Sequence, residues 1–106
     1  MKLLTEELKD KFKKIGKQDI TKDPLIISKF FNPCGAGIWY ATEWKEKDQM
    51  FFGFVSIFGD HDDEWAYFSL AELEAVKGCF GLGIERDLHF GYKQASEIPV
   101  IAETLD

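Results

Sequence analysis

The sequence has no long apolar run and no excess of basic residues. No stretch approaches the roughly 18 consecutive apolar residues that a membrane-spanning helix needs. Glu6 and Glu7 interrupt the start before an apolar run of signal-peptide length can form. The net charge of −6 argues against sequence-independent binding of DNA or RNA and against an anionic membrane, because both require a positive surface. We therefore expect no direct contact with nucleic acid or membrane.

Cysteine is also scarce. Cys34 and Cys79 are the only two, and they lie far apart in the sequence. With no leader segment expected, we predict two reduced thiols in a cytoplasmic protein. Neither thiol has a base positioned near it in the sequence, so we predict no catalytic cysteine.

The chain is large enough for one domain with its own core. It has 106 residues, of which 45% are apolar, with ten Phe, three Trp and three Tyr. Such a composition excludes a disordered chain, because enough apolar surface can be buried on folding. We predict a single domain over residues 1–106, with a compact core over about 3–92 and a weakly patterned tail over 93–106.

Residues 51–58 form the segment around which we expect the rest to pack. Read with a period of two, Phe51 and Val55 lie on one side of this segment, and Phe52, Phe54 and Phe58 lie on the other. A half-buried strand would alternate apolar with polar residues, whereas this one is apolar on both sides. The pattern predicts a strand in the interior of a sheet.

The remaining elements predict the fold class. Thr5 and Ser69 are predicted N-caps of two helices, which end near Gly16 and Gly78. Further strands are predicted over 25–31, 38–44, 65–68 and 84–90, and most of the loops between them are short and polar. The sequence therefore predicts an α+β fold, an antiparallel sheet of about five strands with the two helices packed on one face.

The last predicted strand carries the strongest candidates for chemistry. Glu85, Asp87 and His89 would project to one side, where they could hold a divalent metal or pair an acid with a base. The alternative is a solvated sheet face with cross-strand ion pairs. Arg86 would point to the apolar side, where it needs a partner such as Glu43 or Glu72, either as a structural ion pair or as a ligand anchor.

Three other patterns have features of functional sites. The acidic residues 60–64 lack the order of a calcium-binding loop, which favours a solvated hairpin tip. The glycines at 78–83 follow a helix and precede a strand, the reverse of a phosphate-binding loop. The Trp and Tyr residues of neighbouring strands are either core or anchors of a binding surface.

Several segments resemble the bacterial domain of unknown function 2958 family. The likeness covers about the first ninety residues, and its most specific part is the string Glu-Arg-Asp-Leu-His-Phe at 85–90. The other segments that carry it are 29–33, 39–43, 51–55 and 67–73. The resemblance implies no defined activity, but it implies a gene of plasmids, phages or integrative elements.

These observations lead to one favoured function and one alternative. We expect a non-enzymatic, protein-binding accessory or counter-defence factor of a mobile genetic element, with no cofactor and no catalytic residue. The predicted binding residues are Trp39, Tyr40, Glu43, Arg86, Asp87 and His89. The alternative is a metal- or anion-binding enzyme that uses Glu85, Asp87, His89 and Arg86.

Overall fold

A five-stranded antiparallel sheet forms the centre of the molecule. The computed structural model describes residues 1–57 and 63–105. The strands are β1 (Leu25–Ile26), β2 (Ser28–Phe31), β3 (Ile38–Lys45), β4 (Met50–Ser56), β5 (Glu64–Ser69), β6 (Glu85–Arg86) and β7 (Lys93–Gln94), and the helices are α1 (Glu6–Ile15), α2 (Leu70–Ala75) and α3 (Pro99–Ala102). The main sheet has the order β5-β4-β3-β2-β6, and β1 pairs with β7 beside it. The predicted fold class is confirmed.

Both predicted helix starts are confirmed by their caps. The Thr5 hydroxyl accepts the Leu8 N–H at 3.1 Å, and the Ser69 hydroxyl accepts the Glu72 N–H at 2.9 Å. Each bond satisfies one of the donors that a helix start leaves unpaired. Helix α1 ends at Gly16, whose φ of +76° suits glycine. Helix α2 ends at Ala75, earlier than the Gly78 end that we predicted.

Strand β4 lies inside the sheet, as its two apolar sides predicted. Phe51 and Phe54 are fully buried on opposite faces. Helices α1 and α2 cover the Phe51 face, with Leu8, Phe12 and Leu73 among its core residues. The C-terminal segment covers the Phe54 face, where the buried residues are Ile26, Tyr40, Phe54, Ala95, Ile98 and Ile101.

A β-bulge in β3 shifts the alternation that we predicted there. The register shifts between Ala41 and Glu43, so that Glu43 lies opposite Phe52 and Trp44 lies opposite Phe51. Strict alternation along the predicted strand 38–44 would put Trp44 on the face of Tyr40, and this is wrong: Trp44 packs on the face that α1 and α2 cover. Gly53 lies opposite the bulge, where an added Cβ would be 2.8 Å from the Tyr40 carbonyl carbon. Only glycine permits this close approach of the two strands.

The C-terminal segment is fastened to the start of β1. Asp23 accepts hydrogen bonds from the Ser96 hydroxyl at 2.7 Å and from the Ser96 N–H at 2.8 Å. These two bonds hold the pKa of the Asp23 carboxyl below its ordinary value. The compact core was expected to end near residue 92, whereas the structure extends it to the buried residues Ala95, Ile98 and Ile101.

One predicted strand is divided in the structure, and another extends beyond the described residues. The predicted strand over 25–31 divides at Ile27, where pairing changes from β7 to β3. Phe58, the last residue of the predicted central strand, lies outside the described residues, as do 60–62 of the predicted acidic tip.

No helix in the described part of the chain is long and apolar enough to cross a membrane.

Candidate functional site

The predicted row of Glu85, Asp87 and His89 does not form. Strand β6 ends at Arg86, and the chain then turns: the Asp87 carboxylate accepts the His89 N–H at 3.0 Å, and the Asp87 carbonyl accepts the Phe90 N–H at 3.2 Å. Leaving the strand ends the alternation that would have aligned the three side chains. Within residues 1–57 and 63–105, no group of three His, Cys, Asp or Glu side chains is arranged to hold a metal ion.

Arg86 fastens the N-terminal segment to the sheet. Its Nη1 donates to the Lys2 carbonyl at 3.0 Å and to the Leu3 carbonyl at 2.9 Å. The carboxylate partner that we predicted, Glu43 or Glu72, is replaced by these backbone oxygens. The charge is therefore satisfied by dipoles, and the bonds hold the segment whose Leu3 enters the core.

Tyr40, Asp87 and His89 meet at one cavity of about 270 Å³. Lys29 also lines it. The Lys29 Nζ lies 3.8 Å from the Asp87 carboxylate, so the two residues form an ion pair of opposite charges. Burial raises the pKa of Tyr40. This cavity brings a tyrosine side chain together with a paired lysine and carboxylate.

The other predicted binding residues lie elsewhere. Trp39 packs among the core residues on the face opposite Tyr40. Glu43 is buried, and its carboxylate accepts the Gln18 N–H at 3.2 Å and lies 3.4 Å from the Lys45 Nζ. The six predicted residues are thus distributed over several sites, and their role in binding stays a prediction.

The most exposed apolar side chain of the described chain belongs to a segment that sequence reasoning assigned to no site. Phe80 lies in residues 78–83, the Phe80 loop, and 97% of its surface is accessible to solvent. The loop is closed by a hydrogen bond from the Gly78 N–H to the Leu82 carbonyl at 2.6 Å and by one from the Leu82 N–H to the Cys79 carbonyl at 3.0 Å. Phe80 is therefore held outward by ordered backbone.

The backbone of Phe80 is itself unusual. Its φ of +55° and ψ of +26° place it in the left-handed region, which a bulky side chain rarely adopts. Such a conformation costs about 1–3 kcal/mol and persists where the surrounding structure imposes it. Gly81 follows with a φ of +73°, and this second left-handed residue completes the turn.

A disulfide fastens the Phe80 loop to the loop between β2 and β3. Cys34 and Cys79 are bonded, with 5.7 Å between their Cα atoms. The Asn32 carboxamide oxygen accepts the Cys34 N–H at 3.0 Å and positions this residue. The prediction of two reduced thiols is therefore wrong in this structure. A separation of 45 residues carried no local signal that the two cysteines would meet.

Acidic side chains lie near the Phe80 loop. Glu74 and Glu85 line a cavity of about 350 Å³ that Gly81, Leu82 and Gly83 also border. Lys77, which forms a bridge with Gly83, is the nearest lysine in the sequence. An exposed aromatic side chain on a loop that borders carboxylates suits contact with an apolar pocket that has a basic rim.

The sequence around Phe80 carries a local signal for its exposure. Phe80 belongs to no apolar stripe of period two or 3.6, because glycines surround it in Gly-Cys-Phe-Gly-Leu-Gly at 78–83. A large aromatic outside every core pattern is a candidate for exposure.

The comparison with protein families identifies the chain's relatives. The model of the family described as "Protein of unknown function (DUF2958)" matches residues 3–104. Because this match covers nearly the whole chain, the chain belongs to that family, and the resemblance noted in the sequence is confirmed. Neither the search of curated proteins nor the search of solved structures found a match.

Proposed function

We propose that this member of the DUF2958 family is a non-enzymatic protein-binding module. In the fuller form of the proposal, it is an accessory or counter-defence factor of a bacterial mobile genetic element that acts in the cytoplasm. The gene context implied by the family supports the element, and the acidic charge supports a protein partner over nucleic acid or membrane.

One observation carries the proposal, the exposure of Phe80 on an ordered loop. Burying a phenylalanine side chain contributes about 1.5–3 kcal/mol, and none of this is gained in the isolated protein because Phe80 is 97% exposed. A partner that buries the ring gains it, and a loop already held in position loses little conformational entropy on binding. Aromatic anchors of this kind dominate many protein interfaces.

The chemistry around the loop selects the kind of partner. Glu74 and Glu85 border the cavity next to the loop, and the whole chain carries a charge of −6. A complementary surface has an apolar pocket large enough for a phenyl ring, with lysine or arginine at its rim. The proposed partner is therefore a folded protein whose apolar pocket, with basic residues at its rim, receives the Phe80 side chain.

Site-specific photo-crosslinking tests this proposal in bacterial cells that produce the protein. The substitution Phe80→p-benzoylphenylalanine places the crosslinker at the loop, and Ile20→p-benzoylphenylalanine is the matched control because Ile20 is 93% exposed in another segment. We expect one dominant adduct from position 80 and none of the same mass from position 20. Mass spectrometry should locate the attachment in an apolar pocket with basic neighbours.

A charge reversal adds a second test. Glu74→Lys in the Phe80→p-benzoylphenylalanine background should lower the yield of the adduct, because it opposes the basic rim. The same adducts from both positions, or an unchanged yield after Glu74→Lys together with an attachment site that is acidic, would overturn the proposal.

A further inference from the structure

We infer that the Cys34–Cys79 disulfide is a redox switch for the Phe80 loop, which presents Phe80 when the bond is formed and releases it when the bond is reduced. This inference rests on the proposed function, because it assigns regulation to the same binding loop. The bond joins residue 79, directly before Phe80, to a loop that the main sheet supports.

The disulfide lies directly before the strained residue. Phe80 has a φ of +55°, and a left-handed phenylalanine persists only while its neighbours are fixed. The disulfide fixes Cys79, and Gly78 packs against the same partner loop, where an added Cβ would be 3.2 Å from the Cys34 Cβ. Without the bond, the two loops are no longer joined covalently, and Phe80 can return to ordinary backbone angles.

One end of the disulfide is exposed to solvent. Cys79 is exposed and Cys34 is half-buried, so an external thiolate can reach the bond from the Cys79 side. A buried structural disulfide would be shielded from such attack. In the proposed cytoplasmic location, disulfides are usually transient or redox-sensing, which agrees with an accessible bond next to a binding residue.

The chemistry of the switch is thiol–disulfide exchange with a cellular dithiol. The thiolate of the dithiol attacks the Cys79 sulfur, the sulfur–sulfur bond breaks, and Cys34 leaves as a thiolate that takes up a proton. The second thiol of the dithiol then attacks the mixed disulfide and releases Cys79. Two electrons pass to the protein, which gains two thiols, while the dithiol becomes a disulfide.

Limited proteolysis with chymotrypsin tests the switch without requiring the partner. Chymotrypsin cleaves after aromatic residues, and Phe80 is available to it in both states. We expect cleavage after Phe80, which yields fragments 1–80 and 81–106, to become about tenfold faster after reduction with dithiothreitol, because proteolysis follows the population of opened loop. Cleavage after Tyr92, which is also exposed, should change little and serves as the internal reference.

Variants separate loss of the bond from other effects of the reductant. Cys34→Ser and Cys79→Ser, each alone, should show the fast cleavage without dithiothreitol, and circular dichroism should confirm that each remains folded. Hydrogen exchange at residues 79–82 gives a second reading, with faster exchange expected in the reduced protein. Equal rates of cleavage and of exchange in oxidised and reduced protein would overturn the inference.

A binding arm distinguishes failure of the switch from failure of the proposed function. Photo-crosslinking from position 80 in a cell lysate, with the disulfide kept formed by oxidised glutathione, should give the adduct, and adding Cys34→Ser should remove most of it. If the Phe80→p-benzoylphenylalanine protein forms the adduct and the same protein with Cys34→Ser forms as much, the switch is wrong and the binding function stands. If neither forms an adduct while cleavage still responds to reduction, the binding function is wrong and the redox response of the loop stands.

Discussion

Phe51 and Phe80 show the same side chain in opposite surroundings. Phe51 is fully buried in β4, in contact distance of four other aromatic rings, whereas Phe80 is 97% exposed. Packing from the neighbouring strands and α1 holds the first in place. Backbone hydrogen bonds and a disulfide hold the second. The contrast indicates that exposure of Phe80 is imposed by its loop.

The largest effect should come from truncating the buried ring. Phe51→Ala should lower the free energy of unfolding by about 3–5 kcal/mol, because it leaves a cavity among the rings of Phe12, Phe30, Trp44 and Phe68. Urea unfolding followed by circular dichroism measures this. Phe80→Ala is the control and should change the free energy of unfolding by no more than about 0.5 kcal/mol. Similar losses for both variants would remove the contrast between the two sites.

Arg86→Ala should have an intermediate effect, about 1–3 kcal/mol, because its hydrogen bonds to the Lys2 and Leu3 carbonyls are made by a charged group that is half-exposed. The same urea titration applies. Arg86→Lys is the matched control, since an ammonium keeps the charge but donates from a different position. A loss as large as that of Phe51→Ala would contradict a contribution limited to these two hydrogen bonds.

The strain at the exposed ring predicts a gain of stability. Phe80→Gly should raise the free energy of unfolding by about 1 kcal/mol or less, because glycine adopts a φ of +55° without steric cost while its greater freedom when unfolded offsets part of the gain. Differential scanning calorimetry at neutral pH is suitable, with Phe80→Ala for comparison. A lower melting temperature for the glycine variant than for the alanine variant would contradict a left-handed residue at this position.

The smallest predicted change in stability comes from the exposed hydrogen bonds between Ser96 and Asp23. Because the hydrogen bonds from Ser96 lower the pKa of Asp23, the stabilisation is present above the unfolded pKa of about 3.9 and is lost as the pH falls through the folded value. Ser96→Ala should therefore melt slightly below wild type at pH 6, with the gap closing as the pH falls below about 4. A gap that widens on acidification would contradict this sign.

Much of the fold followed from local patterns in the sequence. The two apolar sides of residues 51–58 predicted an interior strand, and Thr5 and Ser69 predicted two helix starts, because each depends on nearby residues alone. The bulge at Ala41–Glu43 was missed because its only mark is Gly53, twelve residues past Ala41 on the partner strand. The early end of β6 was missed because the Asp87 side chain, which caps the following turn, fits a strand pattern equally well.

The candidate site was the less predictable part. Arg86 was correctly identified as needing a partner, but backbone oxygens of a distant segment supply it. The disulfide joins residues 45 positions apart, and no short stretch of sequence encodes this pairing, so it required the three-dimensional structure. The exposure of Phe80 had a local signal in the glycines that surround it.

The central claim, that Phe80 is the anchor of a protein interface, is tested most directly by isothermal titration calorimetry. The oxidised wild type and Phe80→Ala would each be titrated with the purified partner identified by crosslinking. A dominant interface anchor contributes about 2 kcal/mol or more, so the account predicts that Phe80→Ala binds at least about 30-fold more weakly at unchanged stability. An equal dissociation constant for the two proteins would contradict it.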